Sequence, residues 1–447
     1  MTYTPHTPAD IEAMMAEVGV SSWKELFASI PENLLLNRPL QLPEALSEYD
    51  LINYFKSLAD RNCVFSGGSF LGAGAYRHFI PSIVNHIISR SEFLTAYTPY
   101  QAEASQGTLQ TIFEFQSLIC RLTGLDVANA SVYDGGTAAA DAILMAVAQT
   151  RRNKVLISRG LHPQIREVIA TYLAGSSVQV EEIPLDAKTG QTNLGEVSAD
   201  TAAVLIQNPN FLGIIEDGQA LCQKAHASGA LAIVEVSDPV CLALLRSPGS
   251  YGADICCGDA QALGNPVAYG GPYVGFLACT SKLMRRIPGR LVGLTEDAQG
   301  RRGFCLTLQA REQHIRREKA SSNICSNQAL CALATTIYLS LLGPVGLRKA
   351  AVSSLQSSAY LKEQVAKLDG FALPLSGSTY NEFVLRCPQG MGAKLMQYLA
   401  CEGIQGGYLL EKDYPELADC VLLCCTELTK KAQIDELVSA LRHGKEA

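Results

Sequence analysis

Residues 201–236, TAAVLIQNPNFLGIIEDGQALCQKAHASGALAIVEV, contain a complete strand-helix-strand pattern. Two short apolar runs, residues 202–207 and 231–236, flank residues 216–228, where apolar positions recur at helical spacing. Apolar runs without polar alternation are typical of strands that are covered on both faces. This stretch therefore predicts a β-α-β unit of a parallel sheet.

The same pattern continues on both sides of this unit. An earlier helix is predicted from Thr108, with Gly124 at its C-cap. Further strands are predicted at residues 154–158, 178–183, 253–257 and 273–279, and further helices at residues 137–150 and 163–174. Strands joined by helices form a mainly parallel, doubly wound α/β sheet. We expect this sheet in one large domain, residues 67–340.

Two smaller regions flank the large domain. Residues 1–66 are predicted to form an arm of short helices, with starts near Pro8 and Ser21 and interruptions at later prolines. After a long apolar helix at residues 328–342, residues 341–447 are predicted to form a small α+β domain. Its predicted elements are strands at 382–386 and 420–425 and helices at 391–402 and 432–441.

The composition excludes several classes of protein. Of the 447 residues, 48% are hydrophobic and 18% are charged, as in soluble globular proteins, and the formal net charge is −7. A negatively charged chain has no general attraction for nucleic acid. The acidic start lacks the pattern of a secretory signal, and no apolar run approaches the length of a membrane span. We expect a cytoplasmic protein that binds neither nucleic acid nor membranes.

The 15 cysteines lie mostly in apolar runs, such as those around Cys256-Cys257 and Cys424-Cys425. This distribution is typical of buried thiols in a reducing compartment. The sequence has no CxxC pair and no histidine at metal-ligand spacing from a cysteine, so we expect no metal site.

Two glycine-containing segments invite comparison with phosphate loops. Residues 67–74, GGSFLGAG, have Arg77 where GxGxxG has its third glycine, and they lack the lysine of a P-loop. We interpret them as a close-packed backbone turn. Asp134-Gly135-Gly136-Thr137 directly precedes an Ala-rich helix whose first N–H groups could cradle an anion, although a simple helix cap has the same pattern.

Residues 97–107, YTPYQAEASQG, contain two tyrosines, a carboxylate and two amides but almost no apolar residues. A core element would not have this composition. We favour a binding loop, and the alternative is a solvated loop.

The most charged part of the chain includes residues 311–319, REQHIRREK. Because acids and bases are mixed, this string predicts a helix with compensating charge pairs rather than a nucleic-acid patch. We interpret His314 as a surface or interface residue rather than a general base.

Together these segments resemble the P-protein family of the glycine cleavage system, in its two-chain bacterial form. The matches run in order over most of the chain, and the string from Arg311 to Cys325 is hard to reach by chance. The similar segments are FLGAG (70–74), YTPYQ (97–101), SQG (105–107), SR (158–159), HP (162–163), NPNF (208–211), GAD (252–254), GGP (270–272), PGRLV (288–292), REQHIRREKA (311–320) and SNIC (322–325).

The resemblance implies a fold-type-I architecture of the pyridoxal-phosphate (PLP) transferase kind. It also implies decarboxylation of glycine, with transfer of the aminomethyl group to the lipoyl arm of the H-protein. In such enzymes PLP is an electron sink for the carbanion that remains when carbon dioxide departs.

One position sets this chain apart within the family. Enzymes of this fold hold PLP as a Schiff base on a lysine just after a strand, and the PLP-bearing sequence of the family has His-Lys-Thr there. By similarity, residues 258–263, GDAQAL, place Ala262 at the lysine position, and no lysine occurs between Lys224 and Lys282. We therefore expect that this chain does not anchor PLP covalently.

Neighbouring cofactor contacts are expected to be degenerate as well. Residues 134–137 keep the shape of a phosphate cup. Either Glu235 or Asp238 could stand where the sibling subunit has the aspartate that contacts the pyridine nitrogen, and the sequence leaves both open.

Sites of this fold lie between two chains, so the resemblance implies that this chain lends a loop to a PLP-carrying second subunit, in an α2β2 assembly. Tyr97 and Tyr100 would donate hydrogen bonds to glycine or line the lipoyl path, and Glu103 would handle a proton or the substrate ammonium. Gln106, at the end of the same loop, residues 97–106, is expected to be lent to the second subunit's site with these residues.

Two other hypotheses remain open at this point. One is a self-sufficient PLP enzyme that uses another lysine, such as Lys282 or Lys319. The other is a non-catalytic scaffold or regulatory relative that only binds the decarboxylase or the H-protein.

Overall fold

The computed structural model describes residues 5–320 and 322–445. The chain divides into two compact units, Met1–Cys63 and Val64–Ala447. The first unit contains three helices, α1 (Pro8–Val18), α2 (Trp23–Leu26) and α3 (Glu48–Ala59).

Two of these helices begin at side-chain caps. Thr7 and Asp10 form a capping box at α1, and the Ser47 hydroxyl accepts the Asp50 N–H at α3. Helix α1 begins at Pro8 and α2 at Trp23, which confirms the predicted helix starts near Pro8 and Ser21. Helix α3 was not predicted. No residue in the three helices is buried.

The second unit contains the remaining helices and all strands of the described residues. The helices are α4 (Ser82–Ile88), α5 (Ser91–Leu94), α6 (Gln106–Thr123), α7 (Gly135–Thr150), α8 (Pro163–Leu173), α9 (Gly218–Ala227), α10 (Gln313–Arg316), α11 (Ala329–Val365), α12 (Gly392–Cys401) and α13 (Lys431–Gly444). The strands are β1 (Val127–Ala128), β2 (Lys154–Ser158), β3 (Gln179–Ile183), β4 (Thr201–Gln207), β5 (Leu231–Val236), β6 (Ile255–Asp259), β7 (Gly275–Cys279), β8 (Leu291–Glu296), β9 (Arg302–Thr307), β10 (Glu382–Arg386), β11 (Tyr408–Leu409) and β12 (Cys420–Cys424).

Seven strands form the central sheet, in the order β1-β7-β6-β5-β4-β2-β3. The pairs within β3-β2-β4-β5-β6 are parallel, and β7 runs antiparallel to β6 and β1. All six predicted strands of this sheet are confirmed within two residues at each end. The two-residue strand β1 was not predicted.

The sheet is covered on both faces, which explains the apolar runs. Neighbouring residues point to opposite faces, so Cys256 belongs to one core cluster and Cys257 to the other. Helices α6 and α11 contribute to the first cluster and α7 and α8 to the second. All 15 cysteines lie within the described residues, and none of them forms a disulfide.

The charged region differs from the prediction. Strands β8 and β9 form an antiparallel hairpin that was not predicted. Residues 311–319 do not form one helix. Helix α10 ends at Arg316 because Arg317 has a φ of 54°, and one short 3-10 helix lies on each side of it. The prediction of a continuous helix with internal charge pairs was therefore wrong.

Helix α11 is long and apolar enough to cross a membrane by length and composition. The expectation that no apolar segment reaches this length was wrong. Residues such as Leu333, Tyr338 and Leu361 are buried in the protein core, and the helix is interrupted at Gly343, where φ is 56°, just before Pro344. The buried core helix of a soluble protein satisfies the same criterion, so this single helix is weak evidence for a membrane span.

The end of the chain forms a separate small sheet, with the antiparallel order β10-β12-β11. Helices α12, α13 and the second half of α11 contribute to the core of this region. The predicted strands and helices of residues 382–441 are confirmed within two residues, except that α13 extends three residues further.

Candidate functional site

A cavity of about 630 Å³ opens at the carboxyl edge of the central sheet. Glu235 at the end of β5, Asp259 at the end of β6 and the start of α7 form its walls. This edge is where open α/β sheets place their ligands. We call it the edge cavity.

The predicted phosphate cup lies in this cavity. Asp134 caps α7 through its carboxylate, which accepts the Thr137 N–H at 2.8 Å. The Gly135 N–H donates to the Asp259 carboxylate at 3.1 Å, and that carboxylate also accepts the Gln261 N–H at 2.8 Å. Gly135 fits because a Cβ there would lie 3.2 Å from the Asp259 backbone nitrogen. An internal carboxylate therefore occupies the position in which the helix would hold an anion.

The structure places Glu235 and Asp238 in different surroundings. Glu235 lines the cavity, is fully buried, and accepts from the Ser237 hydroxyl at 3.0 Å. Asp238 does not line the cavity; it accepts from Asn381 at 2.8 Å and lies 3.5 Å from His78. Of the two open candidates, only Glu235 can face a ligand in the edge cavity.

Burial controls the charge of the cavity. It raises the pKa of Glu235 to about 8 and that of Asp259 to about 7, with smaller opposing effects from hydrogen bonds. At neutral pH the buried Glu235 is therefore mainly protonated.

His162 forms another wall. Its Nδ1 accepts the Gln164 N–H at 3.1 Å, so its Nε2 carries the proton and donates to the Ala73 carbonyl at 2.9 Å. A Cβ on Gly74, where φ is +97°, would lie 2.5 Å from this ring. The interpretation of residues 67–74 as a close-packed turn agrees with this approach.

The candidate lysine positions lie outside the cavity. Ala262 is 1% exposed and packs in the core against the central sheet. That it stands at the position of the Schiff-base lysine remains a prediction. Lys282 and Lys319 are exposed. Within residues 5–320 and 322–445, no lysine or arginine lines the edge cavity.

The polar loop, residues 97–106, has its functional groups on the outside. Tyr97 is 80% and Tyr100 56% exposed, and Glu103 is exposed. Gln106 differs: its amide donates to the carbonyls of Ala102 and Phe304 and accepts the Phe304 N–H at 2.9 Å. Its observed contacts anchor the loop to β9.

Arg290 was not singled out by the sequence analysis as a functional residue. It is 4% exposed, and its guanidinium donates to the Tyr100 hydroxyl oxygen at 3.2 Å and the Cys325 carbonyl at 2.9 Å. The sequence signal that could have identified Arg290 is its position directly before the apolar start of β8. His314, with its side chain 43% exposed, lies beside Tyr100 with ring centroids 6.1 Å apart, as expected for a surface residue.

The chain is similar to known proteins over nearly its whole length. The family model described as "Glycine cleavage system P-protein" matches residues 1–441. The "Probable glycine dehydrogenase (decarboxylating) subunit 1" of Desulforamulus reducens is 51% identical, and that of Moorella thermoacetica 50%, each over 99% of both chains. The name "subunit 1" implies that these relatives have a second subunit.

Solved structures show the same architecture. A crystal structure of glycine decarboxylase (P-protein) in inhibitor-bound form has a TM-score of 0.91 and 42% identity, covering 99% of this chain and 100% of that one. A glutamate decarboxylase from Lactobacillus brevis has a TM-score of 0.66 at 13% identity, which shows the fold alone. The predicted fold-type-I PLP-dependent α/β architecture is thus confirmed.

The edge cavity does not fit a covalently held PLP. Among the described residues that line it, no side chain can form a Schiff base and none offers a positive charge to a phosphate group. The Asp259 carboxylate already accepts the Gly135 N–H and would repel that phosphate when ionised.

Proposed function

This chain belongs to the glycine cleavage system P-protein family, and we propose that it is the subunit of a two-chain glycine decarboxylase that does not tether the cofactor. The second subunit holds PLP, and the complete enzyme decarboxylates glycine and transfers the aminomethyl group to the lipoyl arm of the H-protein. The assembly is α2β2 and works in the cytoplasm.

The residues that line the edge cavity are the main support for this proposal. It has the position and volume of a ligand site, but among the described residues its lining has no lysine, and Asp259 occupies the anion position. The chain therefore contributes through residues outside this cavity.

The polar loop supplies those residues. Tyr97 and Tyr100 are exposed, so their hydroxyl groups can donate to glycine or line the path of the lipoyl arm in the second subunit's site. Glu103, also exposed, handles a proton or the substrate ammonium. Gln106 keeps the loop in place through β9 rather than touching substrate.

The test is reconstitution with each chain omitted in turn. The tagged chain is co-purified with the second subunit, and glycine-dependent carbon dioxide release is measured with H-protein. We expect release only when both chains are present. Full-rate exchange of the glycine carboxyl with labelled bicarbonate by the second subunit alone would contradict the proposal and favour the scaffold hypothesis.

A further inference from the structure

Arg290 lies almost completely buried beneath the exposed polar loop. Its Nη2 donates to the Tyr100 hydroxyl oxygen at 3.2 Å and to the Cys325 carbonyl at 2.9 Å, and its Nη1 donates to the Asn327 side-chain oxygen at 3.4 Å. One guanidinium thus joins the loop to a segment more than 200 residues later in the chain.

The charge of Arg290 is compensated where it is buried. The Glu312 carboxylate lies 3.8 Å from its Nε, and the two side chains are 5% and 9% exposed. A buried cation is costly unless it is paired and hydrogen-bonded. The planar fork of arginine can reach three acceptors in different directions, which the single ammonium of lysine cannot do with the same geometry.

The contact fixes both the ring and the hydroxyl of Tyr100. The Arg290 guanidinium carbon lies 5.5 Å from the centroid of the Tyr100 ring, within cation–π range. Because the hydroxyl oxygen accepts from Arg290, its own proton is free to donate to another group. A hydroxyl that accepts from a charged donor becomes a stronger donor itself.

Tyr97 provides the contrast within the same loop. Its side chain is 80% exposed, and among the hydrogen bonds of the described residues its hydroxyl has no partner. Of the two tyrosines, only Tyr100 is held by a buried charged group.

We propose that Arg290 is a positioning residue for the reaction: by joining the Tyr100 hydroxyl to the segment 325–327, it holds that hydroxyl in the orientation in which it meets the substrate in the second subunit's site. This inference rests on the proposed function. Arg290 itself does not touch substrate; its effect passes through Tyr100.

The experiment compares Arg290→Lys, Tyr100→Phe and the double variant in the reconstituted two-subunit complex. We expect each single variant to lower turnover by about 10-fold or more, because small misplacements of a reacting group are costly. The turnover of the double variant should be within about twofold of that of the less active single variant, since both changes break the same Arg290–Tyr100 contact. Effects that multiply would overturn the proposal.

Hydrogen exchange in the same complex gives a second readout. Both Arg290→Lys and Tyr100→Phe should speed amide exchange at residues 97–104 and leave β2 unchanged. Tyr100 is exposed, so its variant tests the contact even if Arg290→Lys fails to fold. Unchanged exchange in the loop for Tyr100→Phe would contradict the positioning role.

Arg152→Lys is the matched control. Arg152 also joins two segments, through the carbonyls of Thr201 at 2.9 Å and Ser228 at 3.1 Å, but at the other end of the sheet. It should leave turnover and loop exchange unchanged. If Tyr100→Phe keeps full turnover, the proposed role of Tyr100 fails, and the positioning inference fails with it. If only Arg290→Lys keeps full turnover, the role of Tyr100 survives and the positioning inference alone fails.

Discussion

The edge cavity and the polar loop use similar residues in opposite ways. In the cavity, the carboxylates of Glu235 and Asp259 are buried and accept hydrogen bonds from their own chain. In the loop, the hydroxyl of Tyr97 and the carboxylate of Glu103 face outward. A ligand could use the first set only by displacing internal partners, whereas the second set is free for another chain. This difference supports the proposal that the subunit acts through its exposed loop rather than through the edge cavity.

Removing the loop's functional groups is expected to have the largest effect. The triple variant Tyr97→Ala, Tyr100→Ala, Glu103→Ala should lower turnover of the two-subunit complex by about 100-fold or more, as expected for the loss of general acid-base and positioning groups. Because these side chains are exposed, the thermal midpoint of the isolated chain should barely change. Turnover near that of the wild type would show that the loop is a solvated loop with no part in the reaction.

The pH dependence of stability tests the cavity. Glu235 has a folded pKa of about 8, above its ordinary value, so the folded state binds a proton that the unfolded chain has already lost. The unfolding free energy that protonated Glu235 contributes is therefore fully present at low pH. It falls as the pH rises toward 8, by up to about 1.4 kcal/mol per pH unit.

Glu235→Gln should remove this dependence. Relative to the wild type, the variant should gain unfolding free energy between about pH 5 and pH 8, as measured by urea unfolding. Turnover of the complex should remain within about twofold, since among the described residues the Glu235 carboxyl group has a side-chain hydrogen bond with Ser237 alone. Parallel pH curves for the two proteins would show that Glu235 is already ionised in the folded chain.

A smaller loss is expected at the base of the loop. Gln106→Ala removes the amide that pairs with the Phe304 backbone in β9 and should cost about 1–3 kcal/mol of unfolding free energy. Gln110→Ala, which removes only an exposed contact with Glu114, is the control and should stay within about 0.5 kcal/mol of the wild type. Equal losses for both variants would argue against Gln106 as an anchor.

Blocking the cavity should have the smallest effect. Gln164 is exposed and lines the edge cavity, so Gln164→Trp places a bulky ring there without disturbing the core. Carbon dioxide release by the complex should remain within about twofold of the wild type. A loss of 10-fold or more would show that the cavity takes part in the reaction.

The sequence predicted the sheet better than the surface around the site. Strand β2 is predicted to the residue, because its middle residues 155–157 are apolar and buried in a sheet that is covered on both faces. The hairpin β8-β9 was missed because the outer half of β8 is exposed and its connection is charged. The capping role of Asp134 followed from local sequence, since its partner Thr137 is three residues away.

Contacts between distant residues could not be predicted in the same way. The Gly135–Asp259 hydrogen bond spans 124 residues and the Arg290–Tyr100 bond spans 190. Composition identified the loop as polar and the cup as glycine-rich, but only the folded chain shows that an aspartate occupies the cup and that an arginine supports the loop.

Reduction of the isolated chain with borohydride after incubation with PLP tests the central claim most directly. If this chain has no residue that tethers the cofactor, mass spectrometry should find no pyridoxyl-lysine peptide, while the second subunit treated in parallel yields one. A stoichiometric pyridoxyl-lysine on this chain, with carbon dioxide released from glycine in the absence of the second subunit, would contradict the account.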